Sequence, residues 1–575
     1  GGTPPLRKLL AVLAACFLLL GGAGCQFLWP NAPTSSEETD KHGAYAGEYT
    51  GKWCYQRLNT RMQACYAAIY EAVAEGIDAD EMVTVADSKS STPPQEYHGV
   101  KVTLPRQLFS RSEAQTLYVA FTWDNPQFFF ISNTYGLTGR NADSYDSISL
   151  VFTMNAQERA AAQRQLDRAL NDIPSGVYGH LGPSEGLFLP ITKWPLMSQK
   201  AKGTYFWDVD GNKYLDFMCA YGPNVLGYCD DDVDAAAMEQ LKTGNCTTSP
   251  SYKMVECAEL LIDTVNTADW AFFMKNGSDA TTFSVMCARA HTGKKKMMFF
   301  KGYYHGDFQW AQKVDYPGIL PEEVENNVVV PWFDLDAMQK AYDEAGGDFA
   351  GLIAQPYDHG NFKDNVCATP EQWKAVRKFC DDHGMVLIFD DVRTGFRLDL
   401  AGSDHYYGIK ADLICFCKAL ANGYNMSAVC GQEHMKNTAS SVVYTGSYWM
   451  SAEPFAACLA CIPKMKKLNT PKMFREMGTQ LTDGLVAACN QHGFDLVVSG
   501  EPALFYLRFS NDESLMLHQE WIAECVSRGL FLASHHNHFM NAAVTQDDIK
   551  LAIDIAEDAF GVVAANHPEI PGLVK

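Results

Sequence analysis

Residues 385–423 read MVLIFDDVRTGFRLDLAGSDHYYGIKADLICFCKALANG, and this stretch decides the fold. Val386, Leu387, Ile388 and Phe389 form an unbroken apolar run, the pattern of a strand buried on both faces of a parallel sheet. Asp390 follows at once. It therefore stands at the carboxyl edge, where open α/β sheets bind ligands. Leu413 to Cys417 repeat the pattern, and Lys418 follows, leading into Ala421, Asn422 and Gly423. Taken singly, each residue has a bland reading: lysines are common on surfaces, and an acid after a strand is often a helix N-cap. Taken together, they place a carboxylate and an amine on one edge of one sheet.

Pyridoxal phosphate (PLP) chemistry needs those two groups. A lysine amine forms a Schiff base with the aldehyde, and an acid pairs with the pyridinium nitrogen so that the ring remains an electron sink. The lysine must react as a free amine although its reference pKa is about 10.4, so desolvation or nearby cations must disfavour its charge. The stretch resembles the class III aminotransferases of PLP fold type I, particularly the glutamate-1-semialdehyde aminotransferase-like branch. FDDVRTGFR is similar to that family's F-D-E-V-x-T-G-F-R, and Lys418 falls where the family carries its Schiff-base lysine.

The resemblance runs from about Gly179 to the C-terminus. It implies an α/β protein with a mostly parallel central sheet flanked by helices in a PLP-binding large domain, 179–467, and a smaller α+β C-terminal domain, 468–575. Further motifs occur in the family's order. Trp207 to Gly227 read WDVDGNKYLDFMCAYGPNVLG. Asp208, Asp210 and Gly211 suggest a calcium-loop fragment, yet its later ligands are missing, so a hairpin turn is expected. The resemblance places the G-P-x-x-L-G that follows near the cofactor.

Ala271 to Met274 predict a strand, followed by Lys275, Asn276, Gly277, Ser278 and Asp279 and by a helix with Phe283, Met286, Cys287 and Ala290 on one face. Strand, glycine turn and helix N-terminus present backbone N–H groups to an anion. N-G-S-D-A matches the family's S-G-T-E-A phosphate loop, which implies phosphate contact at Gly277 and Ser278. Met297 to Phe300 predict the next strand, and GYYHG follows; the resemblance implies that Tyr304 lies over the pyridine face with His305 beside it. Val392 would pack on the opposite face.

Val328 to Val330 and Leu352 to Ala354 predict further strands, with a helix over Glu371 to His383 between strands. Gln355 and Pro356 stand where many relatives have Glu-Pro. Tyr444 to Pro454 read YTGSYWMSAEP, where relatives contribute a Gly-Thr to the neighbouring subunit's phosphate; Thr445 or Ser447 is expected in that role, which implies a homodimer. His535, His536, Asn537 and His538 look like a metal cluster, but adjacent histidines do not converge easily on one ion, and no metal is expected. Gln546, Asp547 and Asp548 open a terminal amphipathic helix.

The chain of 575 residues exceeds one ordinary core, and a hydrophobic content of 47% with 20% charged residues describes a globular protein. Its net charge of −22 argues against nucleic acid and against electrostatic adhesion to anionic lipid. The 18 cysteines lack the spacing of a disulfide scaffold, so buried free thiols in a reducing compartment are expected; Cys415 and Cys417 would share one buried face.

The first residues point elsewhere. Arg7 and Lys8 precede an apolar run from Leu9 to Leu20, then small residues up to Cys25, the layout of an export signal resembling a bacterial lipoprotein leader over 1–25. Residue 1 is Gly rather than Met, so the natural start is expected upstream. Residues 26–44 read as a flexible tether. Residues 45–173 read as a separate small α+β domain. It has an amphipathic helix over Leu58, Met62, Cys65, Ile69 and Val73, a turn at Asp124 to Pro126 between strands, and a helix from Asn155 to about Leu170. That region is similar to the segment before the catalytic domain of some bacterial transglutaminase-like surface proteins.

The favoured reading is a PLP-dependent transaminase acting on a small amine or amino acid and an oxo acid or aldehyde, with Lys418 and Asp390 catalytic. A 2,1-aminomutase or racemase shares the same core residues. The carboxylate-binding arginine near the start of semialdehyde aminomutases has no counterpart, since no arginine lies between Arg168 and Arg289. A lipid-anchored surface-binding protein with an inactive or incidentally fused PLP part is the alternative from another class. The leader suggests a membrane lipoprotein and the enzyme part a cytoplasmic protein.

Overall fold

The computed structural model describes residues 197–566 apart from 315, 317, 361, 362, 511–515, 534 and 535. Towards the N-terminus it also describes residues 165, 168 and 173 and several strands by their backbone. Five of those strands, Met82–Val85, Gln95–Leu104, Gln115–Phe121, Gln127–Ser132 and Ile148–Val151, form an antiparallel meander. Phe121 pairs with Phe128, and the expected turn at Asp124 to Pro126 lies outside the described residues. The leader, the tether and the helix over Leu58 to Val73 lie outside the described residues. Of the helix expected up to Leu170, Gln165 and Arg168 are described, both helical.

The central sheet has seven strands. They are β1 (Trp270–Met274), β2 (Lys296–Phe300), β3 (Asn327–Val330), β4 (Phe349–Ala354), β5 (Val386–Asp390), β6 (Leu413–Phe416) and β7 (Ser427–Gly431). Their spatial order is β1-β7-β6-β5-β4-β2-β3. Every pairing from β6 across to β3 is parallel, and β7 alone runs against its neighbours β6 and β1.

The apolar runs are unbroken because alternate residues supply two different cores. Leu387 and Phe389 of β5 join a cluster with Leu352, Met298 and Trp373, whereas Val386 and Ile388 join one with Ile353, Phe299, Cys415 and Phe283. Such a period-2 division needs helices on both faces. Helix α1 (Gly277–Thr292) covers one face, stacking Phe283 on Phe272 at 4.5 Å between ring centroids. Helix α2 (Pro370–His383) covers the other, with Trp373 against Phe389 at 4.6 Å and its Nε1 donating to the Pro356 carbonyl at 2.8 Å. Each such buried aromatic or aliphatic side chain contributes roughly 1.5–3 kcal/mol.

Two local expectations shift. The buried face of α1 carries Phe283, Ser284, Cys287 and Ala288, and Ala290 is exposed, because the helix presses its Ser284 side onto Cys415 at 3.1 Å. Strand β6 ends at Phe416, so Cys415 is buried in the sheet while Cys417 lies past it and is only partly buried.

The expected hairpin joins Tyr205–Asp208 to Lys213–Asp216. Asp208 closes its turn, accepting from the backbone N–H groups of Asp210 and Asn212 at 3.0 and 2.9 Å and from the Tyr214 hydroxyl at 3.0 Å. Those bonds occupy the carboxylate that a calcium loop would need. Lys213–Asp216 also pairs in parallel with Leu530–Phe531, so the hairpin shares a sheet with a late strand of the chain. The terminal helix spans Gln546–Asn566 as the sequence suggests. No helix among the described residues is long and apolar enough to cross a membrane.

A Cβ at Gly351, in β4, would overlap the Val386 carbonyl oxygen of β5. Gly351→Ala is expected to lower stability by about 1–3 kcal/mol, the usual range for overpacking a core. A urea unfolding midpoint equal to that of the parent chain would contradict the packing described.

Candidate active site

Parity brings the acid to the α1 side of the sheet. Asp390 continues the register of Val386 and Ile388 and pairs in the ladder with Cys415 of β6. Lys418 therefore follows within a few residues of the same sheet edge, opening a short 3-10 turn over Lys418–Ala421. Asn422, in the left-handed region at φ 47°, ends the turn and anchors it. Its Oδ1 accepts from the Leu226 N–H at 2.8 Å and its Nδ2 donates to the Gly227 carbonyl at 2.9 Å. The G-P-N-V-L-G segment is thus tied to the turn that starts at Lys418.

Asp390 is 4% exposed. One oxygen meets Nδ1 of buried His305 at 2.7 Å, and the other accepts from the Val392 N–H at 3.2 Å. His305 is fixed from two sides: Tyr303 stacks on its ring at 5.5 Å, and the Thr281 hydroxyl of α1 donates to its carbonyl at 2.7 Å. The GYYHG loop is thereby pinned between the phosphate-loop helix and the acid.

At the start of α1, Asp279 accepts from the backbone N–H groups of Asn276 and Lys275 at 2.8 and 3.2 Å, holding the turn. Ser278 Oγ accepts from the Asp307 N–H at 3.0 Å. Glycine is required twice here. A Cβ at Gly277 would lie 2.9 Å from Val392 Cγ1, and one at Gly306, where φ is 102°, would lie 2.8 Å from Ser278 Cα. Gly277, Ser278, His305, Val392 and Asp390 are consequently one packed group. Tyr304 is 41% exposed, and its hydroxyl donates to Asp307 at 2.8 Å.

The amine is prepared electrostatically. Burial first, and next the charge of Arg393, push Lys418 down to about 7, so its neutral form is present at neutral pH. Among the described residues no hydrogen bond or ion pair engages its Nζ. Arg393 is a site residue that the sequence reading passed over inside FDDVRTGFR. It is 9% exposed and donates from Nη1 to Asn537 Oδ1 at 3.1 Å. Tyr357 and His359, which lie just past the end of β4, are buried with rings 4.2 Å apart. Polar residues just past the end of a buried strand were the available signal.

Asn537 was read only as part of a histidine cluster. His538 Nε2 instead accepts from the Ala533 N–H at 3.1 Å, His535 lies outside the described residues, and no group of His, Cys, Asp or Glu among the described residues is placed to hold a metal. Thr445 is not brought to the others: it is exposed on a segment where Val443 is 90% and Tyr448 73% exposed.

Residues 190–315 and 322–560 match the family Aminotransferase class-III. The chain belongs to the class III aminotransferases. It is 36% identical over 397 residues to the aminopentol aminotransferase of Sphingopyxis macrogoltabida, covering 69% of this chain and 93% of that protein. It is 28% identical to the 3-aminobutyryl-CoA aminotransferase of Cloacimonas acidaminovorans (strain Evry), over 70% of this chain and 97% of that one. Among solved structures, the PLP internal aldimine form of the FumI protein of Sphingopyxis sp. MTA144 superposes with a TM-score of 0.68 at 35% identity, covering 71% of this chain and 98% of that one. An omega-transaminase from Sphaerobacter thermophilus shares the fold at a TM-score of 0.63 and 21% identity.

This enzyme uses PLP, and its residues fit the cofactor. A buried lysine pushed down to about 7 and a carboxylate share the sheet edge, a glycine-lined helix N-terminus stands ready for phosphate, and Tyr304 follows β2 in the loop that His305 ties to Asp390. The Lys418 environment sets a pH dependence. Between about pH 7 and about 10.4 the native chain binds fewer protons at this group than the unfolded chain, so its contribution to stability rises with pH across that window. Below it the protonated amine does not attack an aldehyde. PLP uptake by apoprotein, followed by absorbance, is expected to rise through a midpoint near pH 7, and Arg393→Met is expected to move that midpoint upward. A midpoint near 10 in the parent chain would contradict this account.

Proposed function

We propose that this PLP-dependent aminotransferase takes an amino group from an external primary amine and delivers it to an oxo acid or aldehyde, with Lys418 and Asp390 as its catalytic residues. The observation that carries this reading is the pairing of a neutral Lys418 with Asp390 at one sheet edge. When bound, the cofactor supplies an electron sink for the substrate carbon that loses its proton. Lys418 Nζ would move that proton as a neutral amine. Asp390 would pair with the protonated ring nitrogen, and the bond to His305 fixes the orientation of its carboxylate. Gly277 and Ser278 would bind the phosphate, and Tyr304 and Val392 would confine the ring.

An external donor is favoured over a 2,1-aminomutase by the lack of arginine between Arg168 and Arg289. Both curated relatives are named for substrates other than α-amino acids, which supports an amine remote from a carboxylate as donor. The test is a panel of such amines with pyruvate and PLP-loaded protein, with alanine measured as product. Amine-dependent alanine is expected, reduced on the order of 10³-fold or more in Lys418→Ala and on the order of 10²-fold in Asp390→Asn. Isomerised amine formed without pyruvate, or turnover that survives in Lys418→Ala, would overturn the reading.

The exposed apolar segment that carries Thr445 supports a homodimer in which Thr445 reaches the neighbouring subunit's phosphate. For the N-terminal part, the leader up to Cys25 supports a lipid-anchored, membrane-located form, with residues 45–173 as a separate domain similar to the pre-catalytic segment of transglutaminase-like surface proteins. Labelling with a fatty acid that is lost in Cys25→Ser would support the anchor; a soluble, unlabelled chain would exclude it.

A further inference from the structure

Near Lys418 lies a buried cation that makes no ion pair among the described residues. Arg393 is 9% exposed, and among the described residues its one hydrogen bond goes to the uncharged amide oxygen of Asn537. Among the described residues no carboxylate lies within ion-pair distance of it. Asp390, the acid three residues earlier, is committed to His305 and to the Val392 N–H. A buried guanidinium left in that state is unfavourable unless an anion arrives to pair with it. Its planar fork matches a carboxylate with two parallel bonds.

A second, independent observation points to a ligand at the same place. The Tyr357 hydroxyl and both ring nitrogens of His359 are buried without a hydrogen-bond partner. Tyr357 is fully buried and His359 is 6% exposed. Burial first, and then the charge of Arg393, lower the pKa of His359 and keep it neutral, so its ring offers one donor and one acceptor. Buried polar groups left open in this way are rare and call for an occupant.

We propose that Arg393, steadied by Asn537, binds the carboxylate of the oxo acid substrate, with Tyr357 and His359 completing the polar wall of that subsite. The proposal rests on the aminotransferase reading and gives the acceptor half-reaction the carboxylate receptor that the stretch between Arg168 and Arg289 lacks. It also separates the two substrate classes. A donor amine without a carboxylate leaves Arg393 unpaired, and an oxo acid engages it.

The test compares aminooxyacetate, which carries a carboxylate, with O-methylhydroxylamine, which does not. Each reacts with PLP-loaded protein: the aminooxy nitrogen forms a C=N bond to the cofactor's aldehyde carbon, and Lys418 leaves as the free amine. Loss of visible absorbance gives the rates, and each is divided by the rate with free PLP to remove intrinsic reactivity. The parent protein is expected to favour aminooxyacetate on the order of 10- to 100-fold, the range for one charge-assisted pair. Arg393→Met is expected to bring that ratio close to one, and Arg393→Lys, which keeps the charge without the fork, to leave it in between.

A parent protein without the preference overturns the proposal, with no need for a variant. So does an Arg393→Met protein that loses both rates together and keeps the ratio, which would mean that Arg393 serves the cofactor. A parent protein that shows no PLP absorbance at all would instead remove the aminotransferase reading, and the proposal with it.

Discussion

Everything at the site depends on how β5 is buried. Because Val386 and Ile388 face one helical layer and Leu387 and Phe389 the other, the strand has no freedom to slip by one residue: a slip would exchange the two faces. That fixed register decides which way Asp390 points. The same constraint on β6, paired to β5 through Asp390 and Cys415, sets where Lys418 leaves the sheet. Acid and amine are thus placed by the packing of hydrophobic residues that take no part in the chemistry.

Electrostatics then does what packing alone does not. Lys418 is useful only as a neutral amine, and both burial and Arg393 press it towards that form. The same Arg393 makes no ion pair within the described residues, and its partner there is the uncharged amide of Asn537. One cation therefore has two consequences: it releases the proton from the lysine, and it prepares the site for an anion. The acid avoids this conflict because His305 and a backbone N–H hold it.

What the sequence made legible follows from where the residues sit. Asp390 and Lys418 end apolar runs, and Gly277 and Ser278 lie between a strand and a helix, so simple patterns mark them. Tyr304 and His305 come with the short loop after β2. Arg393, Asn537, Tyr357 and His359 were not recognised, because their importance lies in the partners they lack, and an unpaired polar atom has no signature in one dimension. The hairpin at Asp208 was legible from turn residues, whereas its pairing with Leu530–Phe531, more than 300 residues later, is a long-range contact that no local pattern records. Thr445 stands apart from the other expected site residues within the chain.

The central claim is that Lys418 is the residue that carries the cofactor. Borohydride reduction of PLP-loaded protein, followed by peptide mapping in a mass spectrometer, tests it most directly. Lys275 provides an internal rival, since it too stands beside the phosphate-loop turn, is pushed down by burial and donates to Ser451 at 2.6 Å. The account predicts the phosphopyridoxyl group on the peptide that contains Lys418 and on no other. The group on Lys275, or spread over several lysines, would contradict it.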